Sequence, residues 1–389
     1  MRTRWAARQA FRWLAAPLLL AGTAAWLGPA AGASAASCQG WISELPQPLA
    51  SATVANDLTS VTTVSACDVF AAGTQDFTGA RTALVEHWDG TSWSIQPTPF
   101  LPSDHLHITS IDAASSTDVW AVGGFRDSQG IDEALILHFD GNSWTQVLSP
   151  NPSRDFNDLS SVHAVSATDA WAVGTFDNGT ADQTLILHWN GTAWTQVASP
   201  SPGGPGSNDE LFGVTATSAS NAWAVGNVEA TNGNETSLIL HWNGLQWARV
   251  ASPHPGTTSP LFAVDASSAT NAWAVGNTSN GGLSQTLALH WNGSKWARVA
   301  TPSPANPGSA DSLRSVAVAS ASNASAVEGV NGILHWDGHS WTAVDTPQPP
   351  GAISTVLNAV ASTPAGSAWA VGVLNDGSPP SKPYAIHCC

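Results

Sequence analysis

Residues 159–200 read LSSVHAVSATDAWAVGTFDNGTADQTLILHWNGTAWTQVASP, four strand-like runs separated by turn signals. The first, L-x-x-V-x-A from Leu159, stops at Ser166-Ala167-Thr168-Asp169. In the second, Ala170-Trp171-Ala172-Val173-Gly174, alternation puts Trp and Val on one face and the two alanines on the other. The third, Thr184 to Trp189, places Leu185, Leu187 and Trp189 together. Asn190-Gly191 then supplies the positive φ angles of a short hairpin connection. The fourth run starts at Trp194 and is stopped by Ser199-Pro200, because proline cannot donate to a continuing ladder.

The same pattern recurs about every fifty residues, a period typical of propellers. A-W-A-V-G appears around Trp120, Trp171, Trp223, Trp273 and Trp369, and in degraded form around Phe70 and Ser325. An H-W-[ND]-G element, complete or in part, follows each time at His87, His138, His188, His241, His290, His335 and His387. Seven units of four short antiparallel strands predict an all-β, seven-bladed propeller in which each blade buries its faces against its neighbours. The boundaries read as blade 1 58–105, blade 2 106–158, blade 3 159–210, blade 4 211–260, blade 5 261–312, blade 6 313–355 and blade 7 356–389. The last repeat stops at Ile386-His387-Cys388-Cys389, without a fourth strand. Gly40-Trp41-Ile42-Ser43-Glu44-Leu45-Pro46 matches the missing piece when set against Ser340 to Pro347, so residues 38–50 are expected to complete blade 7 and close the ring.

Residues 1–35 read as a secretory leader: Arg2, Arg4, Arg8 and Arg12, an apolar stretch from Trp13 to Leu27, and Ala33-Ser34-Ala35 as a cleavage site. That stretch is short for a membrane span and the chain has no second one, so a secreted protein is expected. A lipoprotein anchored through Cys38 is the alternative. Removing four arginines takes the formal net charge from −16 to −20. Such a chain repels phosphate backbones, which excludes nucleic acid as a partner.

In an exported chain Cys38, Cys67, Cys388 and Cys389 are disulfide candidates. Aligning the repeats puts Cys38 beside the terminal pair, with Cys67 on the same face near the split blade. The expected clasp is Cys38 to one terminal cysteine and Cys67 to the other, worth at most roughly 5 kcal/mol by loop entropy. A metal or redox site has no other ligands grouped with the pair.

Every tryptophan after the leader occupies one of three repeat slots, and seven of the histidines occupy the H-W slot, so both read as packing fixtures. His105, His107, His163, His254 and His339 are scattered and read as surface or turn residues, without zinc spacing. The carboxylates stand out by location. The connections between second and third strands, and those between blades, share one face and vary in sequence, and binding residues concentrate on such loops. They carry Asp127, Asp132, Asp177, Asp182, Asp209 and Glu235 as candidate ligand-binding residues. An acidic loop face suits a basic protein partner or calcium, and Asp177-Asn178-Gly179-Thr180-Ala181-Asp182 is similar to a calcium loop.

The order glycine, turn acid, tryptophan, proline resembles the kelch family of propellers, whose glycine pair stands here only at Gly123-Gly124. Asp89-Gly90-Thr91-Ser92-Trp93 also looks like the Asp-box of sialidase-type propellers, with a different spacing to the tryptophan. The resemblance implies a propeller of the galactose-oxidase type but does not carry over its chemistry. Tyrosine ligands are needed there and this chain has one tyrosine, Tyr384; the three converging arginines and tyrosine nucleophile of sialidases are not recognisable either. The sequence therefore reads as a secreted, non-enzymatic, monomeric binding or scaffold propeller that engages a glycan or a protein through its long-loop face, with no catalytic residues and no cofactor beyond calcium. The competing readings are a carbohydrate-active enzyme using two loop carboxylates about 5–10 Å apart, and a spacer without a ligand.

Overall fold

Period-two alternation of small and large apolar residues makes the first three strands of a blade two-faced with both faces buried, while the short fourth strand is exposed beyond its tryptophan. In blade 3 the strands Asn157–Ser166, Asp169–Asp177, Asp182–Trp189 and Trp194–Gln196 form one antiparallel sheet in sequence order. A computed structural model of the chain describes residues 40–46, 56–77, 80–99, 101, 103, 105–302, 311–329, 332–378 and 381–388. Within them are seven four-stranded sheets and no helix. The leader, Cys38 and Cys389 lie outside the described residues. The innermost strands of blades 1 to 7 are Asn56–Ser65, His107–Ser115, Asn157–Ser166, Asn208–Ser218, Leu261–Ser268, Leu313–Ser320 and Ser354–Ser362. Each packs on those of the flanking blades, and blade 7 packs on blade 1, which closes a ring.

Side chains facing the next blade stitch these inner strands together. Thr59 Oγ1 donates to the carbonyl of Ile108 at 2.8 Å and Thr109 Oγ1 to that of Leu159 at 2.7 Å. Across the closing joint Asn358 Nδ2 donates to the carbonyl of Leu58 at 2.8 Å. One turn further on, the amides of Ile111, Val162, Val214 and Val360 donate to Ser60, Ser110, Ser161 and Ser315 of the preceding blade. These bonds satisfy groups that burial would otherwise leave unpaired.

The second-strand glycine has a steric cause. The inner strand bulges between Leu159 and Ser161, and a Cβ on Gly174 would overlap the carbonyl oxygen of Asp158. Gly73, Gly123, Gly226, Gly276 and Gly372 meet the same obstruction. A single glycine per blade is thus a packing requirement of this sheet. Blade 6 departs from it with Glu328, which pairs with Leu313 in that slot.

Blade 7 takes its outer strand from the other end of the chain. Ile42–Ser43 pairs with Lys382–Cys388 through Ile42 opposite His387 and Ser43 opposite Ile386, and the amide of Glu44 donates to the carbonyl of Ala385 at 3.0 Å. Trp41 is buried in the same cluster as Tyr384, Ile386 and Cys388. Cys388 is buried and is not a free thiol, whereas Cys67 is free and exposed. The second half of the expected clasp is therefore not made. Cys67 sits in the slot held elsewhere by Thr117, Thr168, Ser220, Thr270 and Ser322, each against the hairpin glycine of its own blade, and its neighbour is Gly90.

The H-W histidines are fixtures with a visible task. His87, His138 and His188 bond Asp68, Asp118 and Asp169 at 2.7–2.8 Å, and His241, His290 and His335 bond Asn221, Asn271 and Asn323. Several lie on the indole of their own blade, as His138 does on Trp120 with centroids 4.0 Å apart.

Candidate functional site

Blades that share nearly every internal residue differ at the loop-face end of their second and third strands. The rung three residues beyond the second-strand glycine is Asp76 opposite Arg81 in blade 1, Arg126 opposite Asp132 in blade 2, Asp177 opposite Asp182 in blade 3 and Glu229 opposite Glu235 in blade 4. Residues directly opposite on antiparallel strands share a face and interact. Blades 1 and 2 carry their own counterion. Arg81 lies 3.7 Å from Asp76, and Arg126 grips Asp132 through Nε and Nη2 at 2.9 and 2.8 Å. Blades 3 and 4 oppose acid to acid.

Blade 4 concentrates this charge. Ile239, Trp223 and Val225 face blade 5 in one cluster, and period-two alternation puts Glu235, Ser237, Asn227 and Glu229 on that same face. Register adds Asn208 and Glu210, opposite Glu229 and Asn227. Asn208 Nδ2 donates to Glu229 Oε2 at 3.0 Å, and Ser237 Oγ donates to the carbonyl of Ser259 at 2.7 Å, tying the crevice floor to the connection that leads into blade 5. Burial, then the charges of Glu229 and Glu210, push the Glu235 carboxyl up to about 7.

The six carboxylates expected from the sequence do not converge on one site. Asp127 turns inward and accepts from the amides of Gln129 and Ile131 at 2.8 and 2.9 Å. Asp177 does likewise for Gly179 at 2.7 Å, and Asn178 Oδ1 for Thr180 and Ala181, so the calcium-like segment is a turn that caps itself. Asp132 is held by Arg126. Asp182 is buried beside the 3-to-4 connection, where its amide donates to Asn208 Oδ1 at 3.1 Å. Asp209 is buried, accepts from Gly203 N at 2.9 Å and has its carboxyl raised by burial. Asp209 and Glu235 alone share a blade with the acid crevice. Among the described residues no group of three or more His, Cys, Asp and Glu could hold a metal ion.

Two carboxylates missed by the sequence reading lie at the ring's centre. Asp112 accepts from Thr62 Oγ1 of blade 1 at 2.8 Å and from Ala164 N of blade 3 at 2.8 Å. Asp265 repeats the arrangement with Thr215 of blade 4 at 3.2 Å and Val318 N of blade 6 at 2.7 Å. Each ties three blades together. Complete burial raises Asp112 and pushes Asp265 up to about 7. His163 is a correction to the surface reading: it occupies the same inner slot, 5 % exposed, with Nδ1 3.3 Å from Asp112. His107 is likewise engaged between blades, 3.0 Å from Asp158, and His105 Nε2 lies 3.0 Å from Arg126 Nη1. In the neighbouring slot Phe212 and Phe262 meet with centroids 5.9 Å apart, and Arg314 donates to Asn358 at 3.0 Å.

In blade 6, Glu328 and Asp311 are hydrogen-bonded to each other. Burial and the Asp311 charge push the Glu328 carboxyl up to about 7.

No family model and no curated protein sequence matches the chain. Solved structures do. YCF48 bound to D1 peptide superposes with a TM-score of 0.56 at 15% identity, covering 90% of this chain and 96% of that one. A polysaccharide lyase of the PL25 family, an ulvan lyase bound to -[GlcA(1-4)Rha3S]-, gives 0.54 at 9% identity over 88% and 93%. The WD40 β-propeller domain of Doa1 gives 0.53 at 10% identity over 89% and 96%. Similarity at this level establishes the propeller and no family within it; the kelch resemblance rests on the repeat motif alone.

Proposed function

We propose that this chain is a secreted, monomeric, non-enzymatic binding propeller that engages a protein partner through its long-loop face. The observation that carries the reading is internal to the chain. The second-strand tryptophan and glycine slots hold their residue in most blades, while the rung at the loop-face end changes from ion pair to double acid. Packing accounts for the repeated interior slots, and charge variation gathered on the loop rim of a rigid ring is the pattern of a recognition surface. A mature charge of −20, from the −16 of the whole chain less four leader arginines, favours a partner with basic side chains. Two of the similar structures are consistent with it: a YCF48 carrying a bound peptide and a WD40 domain.

The same reading includes the leader at residues 1–35 and a bridge from Cys38 to the terminal cysteines. Cys388 supports that bridge, being buried beside Trp41 and not free.

The carboxylate pair nearest to the enzyme reading is Asp311 and Glu328 of blade 6. Two carboxyls that bond each other are closer than the roughly 5–10 Å that glycoside hydrolysis uses. A glycan ligand remains the other outcome of the test. Selection of a random peptide display library on the mature protein, followed by hydrogen-exchange mapping of the selected peptide, should protect amides in 176–183 and 229–235, the hairpins that carry the double-acid rungs. Protection confined to the tight-turn face, or binding of uronate polysaccharides in place of any peptide, would overturn the reading.

A further inference from the structure

We propose that the loop-face end of the crevice between blades 4 and 5 takes a cationic side chain of the protein partner, a lysine ammonium or an arginine guanidinium, among Glu229, Glu235, Glu210 and Asn227. This rests on the loop-face reading above and names what the partner must present.

Three observations carry it. The first is the comparison among blades: the equivalent rungs of blades 1 and 2 place an arginine opposite their acid, and blade 4 places Glu235 opposite Glu229. The cation that the repeat supplies elsewhere is absent here, since no described Lys, Arg or His lies within ion-pair distance of either glutamate. The second is Asn227. It is 2 % exposed, sits on the same sheet face opposite Glu210 and Ser237, and its Oδ1 is buried without a hydrogen-bond partner. An amide oxygen left unpaired at the base of an acidic crevice lacks a donor, and an unmade bond of this kind is costly in a native interior. The third is access. Asn208, Glu210, Glu229 and Glu235 are only half-buried, while Asn227 and Ser237 below them are buried, so the crevice opens outward.

A side-chain cation fits better than a metal ion. The described residues contain no cluster compact enough to ligate one, whereas a flexible ammonium with three donors, or a planar guanidinium with five, can span spaced carboxylates and reach an amide oxygen. Burial first, then the charges of Glu229 and Glu210, hold the Glu235 carboxyl up, and an arriving cation lowers it.

The chain itself supplies the decisive variant. Glu229→Arg gives blade 4 the Arg-acid rung of blade 2, where Arg126 faces Asp132 without harm to the fold. Fluorescence anisotropy with labelled hexalysine and hexaarginine, against a Gly-Ser hexapeptide, is run on wild type, Glu229→Arg, the isosteric Glu235→Gln, and Glu133→Arg as an equal charge change elsewhere on the loop face. Wild type is expected to bind the basic peptides and not the Gly-Ser peptide. Glu229→Arg should weaken that binding roughly tenfold or more, the scale of one lost charge-assisted contact, and Glu235→Gln several-fold, with Glu133→Arg within about twofold of wild type. Equal losses in Glu229→Arg and Glu133→Arg would reduce the effect to net charge and overturn the proposal. So would no binding by wild type, or displacement by calcium chloride but not by potassium chloride of equal ionic strength. The loop-face reading survives each of these failures if display-selected peptides still protect loop-face amides.

Discussion

Five of the seven blade interfaces are built on one plan and the interface between blades 6 and 7 on another. At the regular interfaces a second-strand tryptophan enters the next blade and meets two more. Trp120 packs on Trp189 and Trp194 with centroids 4.9 and 5.2 Å apart, and Trp171, Trp223, Trp273 and Trp369 repeat the triad. Between blades 1 and 2 Phe70 and Phe139 stand in at 6.1 Å. Between blades 6 and 7 the same three slots hold Ser325, Cys388 and Trp41: Cys388 faces Ala368 as Trp189 faces Ala170, and Ile42 faces His387 as Thr195 faces His188. Two indoles have given way to a serine and a cysteine at the place where the chain ends meet. A bulky second-strand side chain would occupy the room that a bridged Cys388 needs, so the aromatic slot empties where the proposed covalent link enters. The ring is held by area where the chain is continuous and by strand pairing plus a cysteine where it is not.

Deleting residues 38–46 attacks the irregular interface directly and should have the largest effect. It removes Trp41, the Ile42–Ser43 pairing and the expected bridge, and leaves the edge of Lys382–Cys388 unpaired. The single cooperative transition of the intact ring should broaden or disappear in calorimetry. A truncation melting like the parent would show that the closing strand does not hold the ring.

How much of this was legible follows from what a repeat can reveal. Alignment of Trp171 with Trp120 and of Gly40-Trp41 with Ser340-Trp341 needs only periodicity, and it delivered the seven blades and the split one. The centre of the ring needed register. Asp112, His163 and Asp265 stand in one slot of the inner strand, beside Thr62 and Thr215, and nothing in their spacing of about fifty residues says that this slot faces the axis and bonds the blades on either side. The acid crevice needed register too. Glu229 and Glu235 look like two loop acids in the sequence; pairing across the hairpin makes them opposite residues, and only comparison with Arg126 and Asp132 shows that a cation is missing.

A matched pair of substitutions sharpens the contrast between interfaces at smaller cost. Trp194 and Trp41 occupy the same outer-strand slot, are 4 % and 7 % exposed, and differ in company: Trp194 meets Trp120 edge-on and Trp189, while Trp41 packs among Tyr384, Ile386 and Cys388. Trp194→Ala should cost about 3–5 kcal/mol in urea unfolding, as large core truncations do. Trp41→Ala should cost less, by about 0.5–1.5 kcal/mol for each aromatic pair it lacks. Equal losses would mean that the seam packs as tightly as the regular interfaces and that the triads add only area.

The smallest effect is expected at Cys67, and it tests which cysteines belong to the seam. The turn-face position of Cys67 suggested a partner in the split blade, but a turn on that face packs against the hairpin of its own blade, and the Cβ of Cys67 faces Gly90 just as those of Thr117 and Thr168 face Gly141 and Gly191. Blade 1 therefore carries cysteine in a slot that threonine or serine fills in five other blades, and the free thiol takes no part in closure. Cys67→Thr should leave stability within about 0.5 kcal/mol of the parent, the range for surface changes away from special contacts. Alkylation of the folded, unreduced protein should label Cys67 and spare Cys388. A loss of several kcal/mol in Cys67→Thr, or protection of Cys67 from alkylation until reductant is added, would place a second bridge across the chain ends and make the seam more heavily cross-linked than its packing indicates.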